Sequence, residues 1–150
     1  MSETPHAFEM TTAPDARDRE FLDQGLIAFN NARSPEYAAL SQPETKQQPV
    51  DVYVRDEQGG ILGGIACTTY WGWLYIGLLW LDDRVRGRHY GARLMAMAED
   101  EARRRGCMHS RVSTYSFQAR GFYEKMGYRV VGELTGFPPG GAFYLMRKDW

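Results

Sequence analysis

The chain has 150 residues, 43% of them hydrophobic and 25% charged, enough for one ordinary core and too little for a second domain. Its formal net charge of -1 excludes a global field that would draw it to nucleic acid or to a lipid surface, so any anion site has to be local. Cys67 and Cys107 lack C-x-x-C or Cys/His ligand spacing, which argues against a structural metal or a disulfide framework and fits a reducing cytoplasm.

The first ten residues, MSETPHAFEM, carry neither a basic start nor an apolar run, so no secretory signal is expected. Residues 6–12 are read as a short edge strand. Thr12, Pro14 and Asp15 then supply a cap, a first-turn proline and an early acid for a helix. Leu22, Leu26 and Phe29 fall at i, i+4 and i+7, which gives this helix one apolar face and carries it to about Arg33. Pro35 and the run Pro-Glu-Tyr-Ala-Ala-Leu predict a short second helix, and QPETKQQP a loop.

From Val50 the apolar period changes to two, with Val50, Val52 and Val54 on one face, and residues 56–60 read as a turn. The expected hairpin partner, 61–69, leads through Trp71-Gly72-Trp73 into a third strand over 74–81. The unbroken apolar character of that strand predicts burial on both faces and a central place. The most apolar stretch, 70–81, is too short to cross a bilayer. A helix over 91–105 follows, with Glu99–Arg103, Asp100–Arg104 and Glu101–Arg105 at i, i+4 and Gly106 as its stop. Residues 108–115 predict a strand, and Ser116 caps a short helix that Gly127 ends. Strands over 128–134 and 142–148 flank the turn Phe-Pro-Pro-Gly-Gly as antiparallel neighbours. The element order implies a mixed α/β sheet in which 74–81, the long helix and 108–115 form a β-α-β unit with parallel strands.

Between that buried strand and that helix lies Arg86-Gly87-Arg88-His89-Tyr90-Gly91-Ala92. A strand-to-helix turn aims several unpaired N–H groups at one point, the helix dipole adds partial positive charge, and Arg86 and Arg88 add full charges. The combination suits a bound diphosphate.

These residues resemble the GNAT superfamily of acyl-CoA-dependent N-acyltransferases, whose signature Q/R-x-x-G-x-G/A follows the fourth strand. Arg86 and Gly91 hold its first and last places, while His89 stands where the family usually has glycine; a left-handed backbone there would cost roughly 1 kcal/mol or more. A second stretch, SFQARGFYEKMGY from 116 to 128, is similar to the family's N-x-x-A-x-x-x-Y-E-x-x-G-F/Y. Ala119, Tyr123, Glu124, Gly127 and Tyr128 are in register, and Ser116 replaces the usual asparagine. The resemblance spans about 59–148.

It implies a GNAT-like fold over a single domain, 1–150: a mostly antiparallel central sheet with one parallel β-α-β unit and helices on both faces. The implied activity is transfer of acetyl from acetyl-CoA directly to a primary amine of a small molecule or peptide, with no metal and with no nucleic acid or membrane as partner. By the family's pattern the backbone of Arg86, Gly87, Arg88, His89, Tyr90, Gly91 and Ala92 holds the coenzyme A pyrophosphate. The backbone of Leu79, Trp80 and Leu81 holds the pantetheine, with Ser116 and Gln118 at its polar groups. Tyr123 protonates the departing thiolate, since a phenol of pKa ~10 still carries its proton at neutral pH.

The general base stays open among Glu133, His109, Tyr75 and Asp82, or water. Cys67 is discounted as a nucleophile, because nothing basic adjoins it. Trp71, Trp73, Phe137 and Tyr144 either wall an acceptor pocket or cover the sheet or a homodimer surface. A rival reading is a non-catalytic acyl-CoA sensor or assembly subunit, motivated by His89 and the missing base. A Rossmann unit is weaker, for want of G-x-G-x-x-G after a first strand.

Overall fold

The computed structural model describes residues 7–40 and 46–150, in two compact units divided between residues 43 and 44. The first holds α1 (Ala16–Arg33) and α2 (Pro35–Leu40). Asp15, in extended conformation, caps α1 by accepting from the Arg17 amide at 2.8 Å, so the cap lies three residues beyond Thr12. Pro14 thus precedes the cap instead of opening the helix. The predicted edge strand is absent over 7–12, and His6 lies outside the described residues. Thr11 Oγ1 accepts from the Ala13 amide at 3.1 Å, a local turn that competes with extended pairing. Leu22, Leu26 and Phe29 are 70%, 58% and 54% exposed, and α1 buries no residue. Ser34 Oγ accepts from the Tyr37 amide and thereby caps α2.

The second unit is built on β1 (Gln48–Arg55), β2 (Ile61–Tyr70), β3 (Trp73–Leu81), α3 (Tyr90–Arg104), β4 (His109–Tyr115), α4 (Arg120–Lys125), β5 (Arg129–Thr135) and β6 (Ala142–Asp149). The strands run in the order β1-β2-β3-β4-β6-β5. β3 and β4 are parallel and every other neighbouring pair is antiparallel, so the mixed α/β reading and its β-α-β unit hold. Residues 42–45 of the predicted loop lie outside the described residues, and Gln48 and Pro49 belong to β1 instead. A proline is tolerated there because β1 is an edge strand with one side free of ladder bonds.

Period-two alternation places Val50, Ile65, Cys67, Leu74, Ile76, Val112 and Met146 on one sheet face, where α3 supplies Leu94, Met95, Ala98 and Ala102. Each fully buried aliphatic side chain of this core contributes about 1.5–3 kcal/mol. Glu99 of α3 is buried among them, and its carboxylate accepts from Lys148 Nζ at 2.7 Å and from Arg103 at 3.4 Å. The Tyr128 hydroxyl lies 3.1 Å from that carboxylate and 2.7 Å from Ser110 Oγ; with one proton it donates to the carboxylate and accepts from the serine. This network pins α3 to β4 and β6, and the buried Glu99 carboxylate is not left without a cation. Of the predicted helix pairs, Asp100–Arg104 is not formed. Arg104 instead turns to Glu101 at 2.7 Å, one residue nearer, where Glu101 also takes Arg105 at 2.6 Å.

β3 is central, as predicted, but it is not buried on both faces: Leu78 is 71% and Trp80 56% exposed. The parallel ladder with β4 runs only from Trp73–His109 to Ile76–Val112, and a bulge against β2 falls at Gly77. Past Ile76 the two strands splay, so the upper half of β3 loses its neighbour, while Leu79 and Leu81 still pack on the core. Among the described residues, no helix is long and apolar enough to cross a membrane.

Candidate active site

α3 begins where the chain leaves β3 through a single 3-10 turn, Asp83–Val85. Asp82 caps that turn and takes both the amide and the guanidinium of Arg84. The Arg84 hydrogen bonds hold its carboxyl down to about 2, which makes Asp82 a permanently ionised cap and no proton acceptor near neutrality.

Among the described residues, none of the amides from Gly87 to Ala92 donates to a protein acceptor; the first amide bonded within α3 is that of Arg93, to the His89 carbonyl at 3.1 Å. Six consecutive residues therefore present free N–H groups at the positive end of a fifteen-residue helix. His89 is the N-cap, with φ 59 and ψ 13 and no capping bond from its side chain. It adopts a left-handed conformation that glycine would adopt freely, at the cost of local strain. Gly91 packs closely: a Cβ there would lie 3.2 Å from the Phe122 ring, which would have to shift by a few tenths of an ångström.

Three hollows meet at this point. One, of about 390 Å3, lies at the start of α3 and is lined by Arg86, Gly87, His89, Tyr90, Gly91, Ala92 and by Lys125 of α4. A second, of about 310 Å3, is lined by Leu79, Trp80, Leu81, Arg86, Gly91 and Phe122. The third, of about 540 Å3, fills the splay between β3 and β4 and takes in Leu79, Arg86, Thr114, Gln118 and Tyr123. Arg86 lines all three. Its Nε donates to the Leu81 carbonyl at 2.9 Å and its Nη1 pairs with Asp83. The result is one groove from a cluster of free amides and cations to the splayed cleft.

Tyr123 is 6% exposed, and burial pushes its phenol up to about 12. Its hydroxyl has no protein partner among the described residues, yet it is not sealed from solvent, so it opens into the cleft. Gln118 also reaches the cleft; its Oε1 accepts from the Tyr115 amide at 2.9 Å, which leaves its NH2 free to donate. Ser116 does not line it: its Oγ accepts from the Ala142 amide at 3.1 Å, clamping β4 to β6. It does not cap the next helix, which starts at Arg120 after an N-cap at Ala119. Arg88 lines none of the three hollows.

The other candidates separate. His109 is bound to Asp149 at 2.6 Å and stacks on Trp73 at 4.6 Å, at the closed end of the parallel ladder, and Arg147 lies over the same Trp73 ring. Tyr144 is covered by Arg120 at 4.6 Å. Burial drives the Cys67 thiol up to about 12, so it is no nucleophile. Phe137 packs with Tyr115 and Phe143, while Phe117 stacks flat on Tyr115 and lines the cleft. Phe117 and Phe122 are site residues missed in the sequence. The one signal was a run of aromatics two and seven residues past the end of β4. No group of three His, Cys, Asp or Glu among the described residues is placed to hold a metal ion.

Comparison with known proteins agrees with this geometry. Residues 13–128 match the acetyltransferase (GNAT) family. Over 129 residues, 83% of this chain and 95% of the relative, the sequence is 40% identical to a blasticidin-S acetyltransferase of Streptomyces morookaense. An acetyltransferase of Agrobacterium fabrum is 30% identical over 94% of this chain and 97% of its own. The crystal structure of an acetyltransferase from Bacillus cereus superposes with a TM-score of 0.79 at 29% identity, covering 95% of this chain and 98% of that one. The free amides at the head of α3 and the splay beside β3 thus sit in a protein whose relatives are acetyltransferases: the chain is an acyltransferase and belongs to the GNAT family.

Proposed function

We propose that the chain transfers an acetyl group from acetyl-CoA directly to a primary amine of a small molecule. The observation that carries this reading is the row of acceptor-free amides over 87–92, continuous through Arg86 with a cleft into which the Tyr123 hydroxyl opens. The residues present fit coenzyme A. The backbone amides of Gly87 to Ala92 with Arg86 and Lys125 suit a diphosphate, and the narrow apolar groove along Leu79, Trp80 and Leu81 suits a pantetheine arm. When bound, the coenzyme supplies the acetyl group as a thioester. The match over 13–128 runs across both units, which supports reading 1–150 as one acetyltransferase domain. The 40% identity to a blasticidin-S acetyltransferase favours a small-molecule acceptor over a peptide.

Backbone alternation supports one N–H as the oxyanion donor. The Trp80 carbonyl points at β2, within 2.6 Å of where a Cβ on Gly63 would be, whereas the Leu81 carbonyl points the other way, to Arg86. Successive peptide groups of a strand face opposite sides, so the Leu79 N–H faces the gap that β4 vacates. An N–H fixed there stabilises charge developing on a carbonyl oxygen without reorganising. Tyr123, on the helix side of the same gap, keeps its proton far above neutral pH and gives it to a leaving thiolate. The Gln118 amide is placed to donate to a polar group of the arm.

The test is a free-thiol assay with acetyl-CoA and a panel of primary amines. Thiol release with at least one amine is expected. Coenzyme binding without release across the panel would instead favour the sensor reading, against the acetyltransferase names of both relatives.

A further inference from the structure

The sheet face opposite α3 carries an ionic arrangement that the groove does not use. Asp149 collects His109 at 2.6 Å, Arg147 at 2.7 Å and Arg129 at 3.5 Å. Arg111, on the same face of β4 and half-buried, has no carboxylate within pairing distance among the described residues. It lies over the Tyr75 ring at 4.4 Å and donates to the Tyr70 hydroxyl at 2.6 Å. A guanidinium held flat on one ring and tied to another is oriented, and Tyr70, which accepts from it, keeps its own proton to donate. Two donors therefore converge with no acceptor for them among the described residues. A half-buried cation without a counter-charge is costly unless an anion completes it.

Its position says what that anion belongs to. Arg111 pairs in register with Tyr75, one step before Ile76–Val112, where the β3–β4 ladder ends and the splay begins. Tyr123 and Phe122 occupy the helix side of the gap, so an amine reaches a thioester lying there from the other side, across the face that carries Arg111. We propose that Arg111 and Tyr70 anchor the acceptor, and that the acceptor is a primary amine that also bears a carboxylate, the planar anion that a guanidinium fork matches. This rests on the acetyl-transfer reading above.

The test uses acceptor pairs that differ only in the carboxylate, L-lysine against cadaverine first, in the thiol-release assay with the full chain and saturating acetyl-CoA. The wild type should favour the carboxylate-bearing member of a productive pair by about ten- to hundredfold in kcat/KM, the range of one charged hydrogen-bonded contact. Arg111→Gln should raise KM for that member about as much and leave KM for the decarboxylated amine unchanged. Arg111→Lys should restore part of the loss, and Tyr70→Phe should lose a smaller part. A thermal melt of each variant separates misfolding from lost recognition, and the unaltered KM for the plain amine is a readout that a structural role would not spare. Equal use of both members by the wild type, or an equal loss for both in Arg111→Gln, overturns the anchoring role. Thiol release with neither member of any pair overturns the amine-acceptor reading beneath it.

Discussion

The Nε of Arg86 donates to the carbonyl oxygen of Leu81 at 2.9 Å, so the cation that opens the α3 loop is fixed to the last residue of β3. That single bond joins the two halves of the groove, because Arg86 lines the hollow at the helix start and both hollows along the strand. Arg86→Ala should weaken coenzyme A binding about ten- to hundredfold by titration calorimetry. Arg86→Lys should fall between, since an ammonium keeps the charge but not the fork. Wild-type affinity in the alanine variant would show that the amides suffice.

Tyr123 makes a sharper case. Removing its hydroxyl leaves the buried ring and the core in place, so Tyr123→Phe should lower turnover by about 10²–10⁴ while coenzyme affinity stays within about twofold. Steady-state kinetics beside calorimetry would decide it. Unchanged turnover would leave Tyr123 a packing residue.

His89 carries the strain of φ 59 at a place where glycine is free of it. His89→Gly should raise unfolding stability by a few tenths to about 1 kcal/mol in urea, the relief of the left-handed backbone less the entropy glycine adds to the unfolded chain. His89→Val should lower it by about 1–2 kcal/mol, because a β-branched side chain fits that conformation worst. A less stable glycine variant would mean that the imidazole does more than tolerate its place.

Alkaline stability follows from the buried acids. The Cys67 thiol, ordinarily near 9.0, is raised to about 12 by burial, and Tyr123 is raised from 10.0 to about 12. Above pH 9 the unfolded chain sheds the Cys67 proton that the folded protein keeps. Stability that is whole below pH 9 therefore declines as pH rises toward 12, by up to about 1.4 kcal/mol per pH unit for each group. Urea midpoints over pH 8–11 should fall, and Cys67→Ala should flatten the slope. An unchanged slope in that variant would place the loss elsewhere.

Much of this fold was written locally. The two-residue period of Val50, Val52 and Val54 and the turn at 56–60 specify the first hairpin, and the helix of the β-α-β unit is legible from its apolar stripe and its loop. The open upper half of β3 was not legible from residue pattern, because Leu78 and Trp80 look as buried as Leu74 and Ile76. What exposes them is the bulge at Gly77, which turns Leu78 and Trp80 to the sheet face opposite the one on which Leu79 and Leu81 meet the core, a fact of pairing that hydrophobicity does not encode. For the same reason Ser116 reads as a helix cap, yet it bonds to the amide of Ala142, twenty-six residues away. Lys148 likewise answers Glu99 across forty-nine residues, where sequence offered only Arg103. Arg111 became conspicuous only when the strands placed it beside His109, Arg129 and Arg147, which share Asp149.

The most direct measurement is a titration of 15N-labelled protein with coenzyme A, followed through backbone amide resonances. The amides of residues 87–92, which have no acceptor among the described residues, should move first and furthest, with Leu79 following when acetyl-CoA replaces coenzyme A. Saturation that leaves the resonances of 87–92 in place, or no change anywhere at millimolar coenzyme, would contradict the assignment of this helix start as the anion grip.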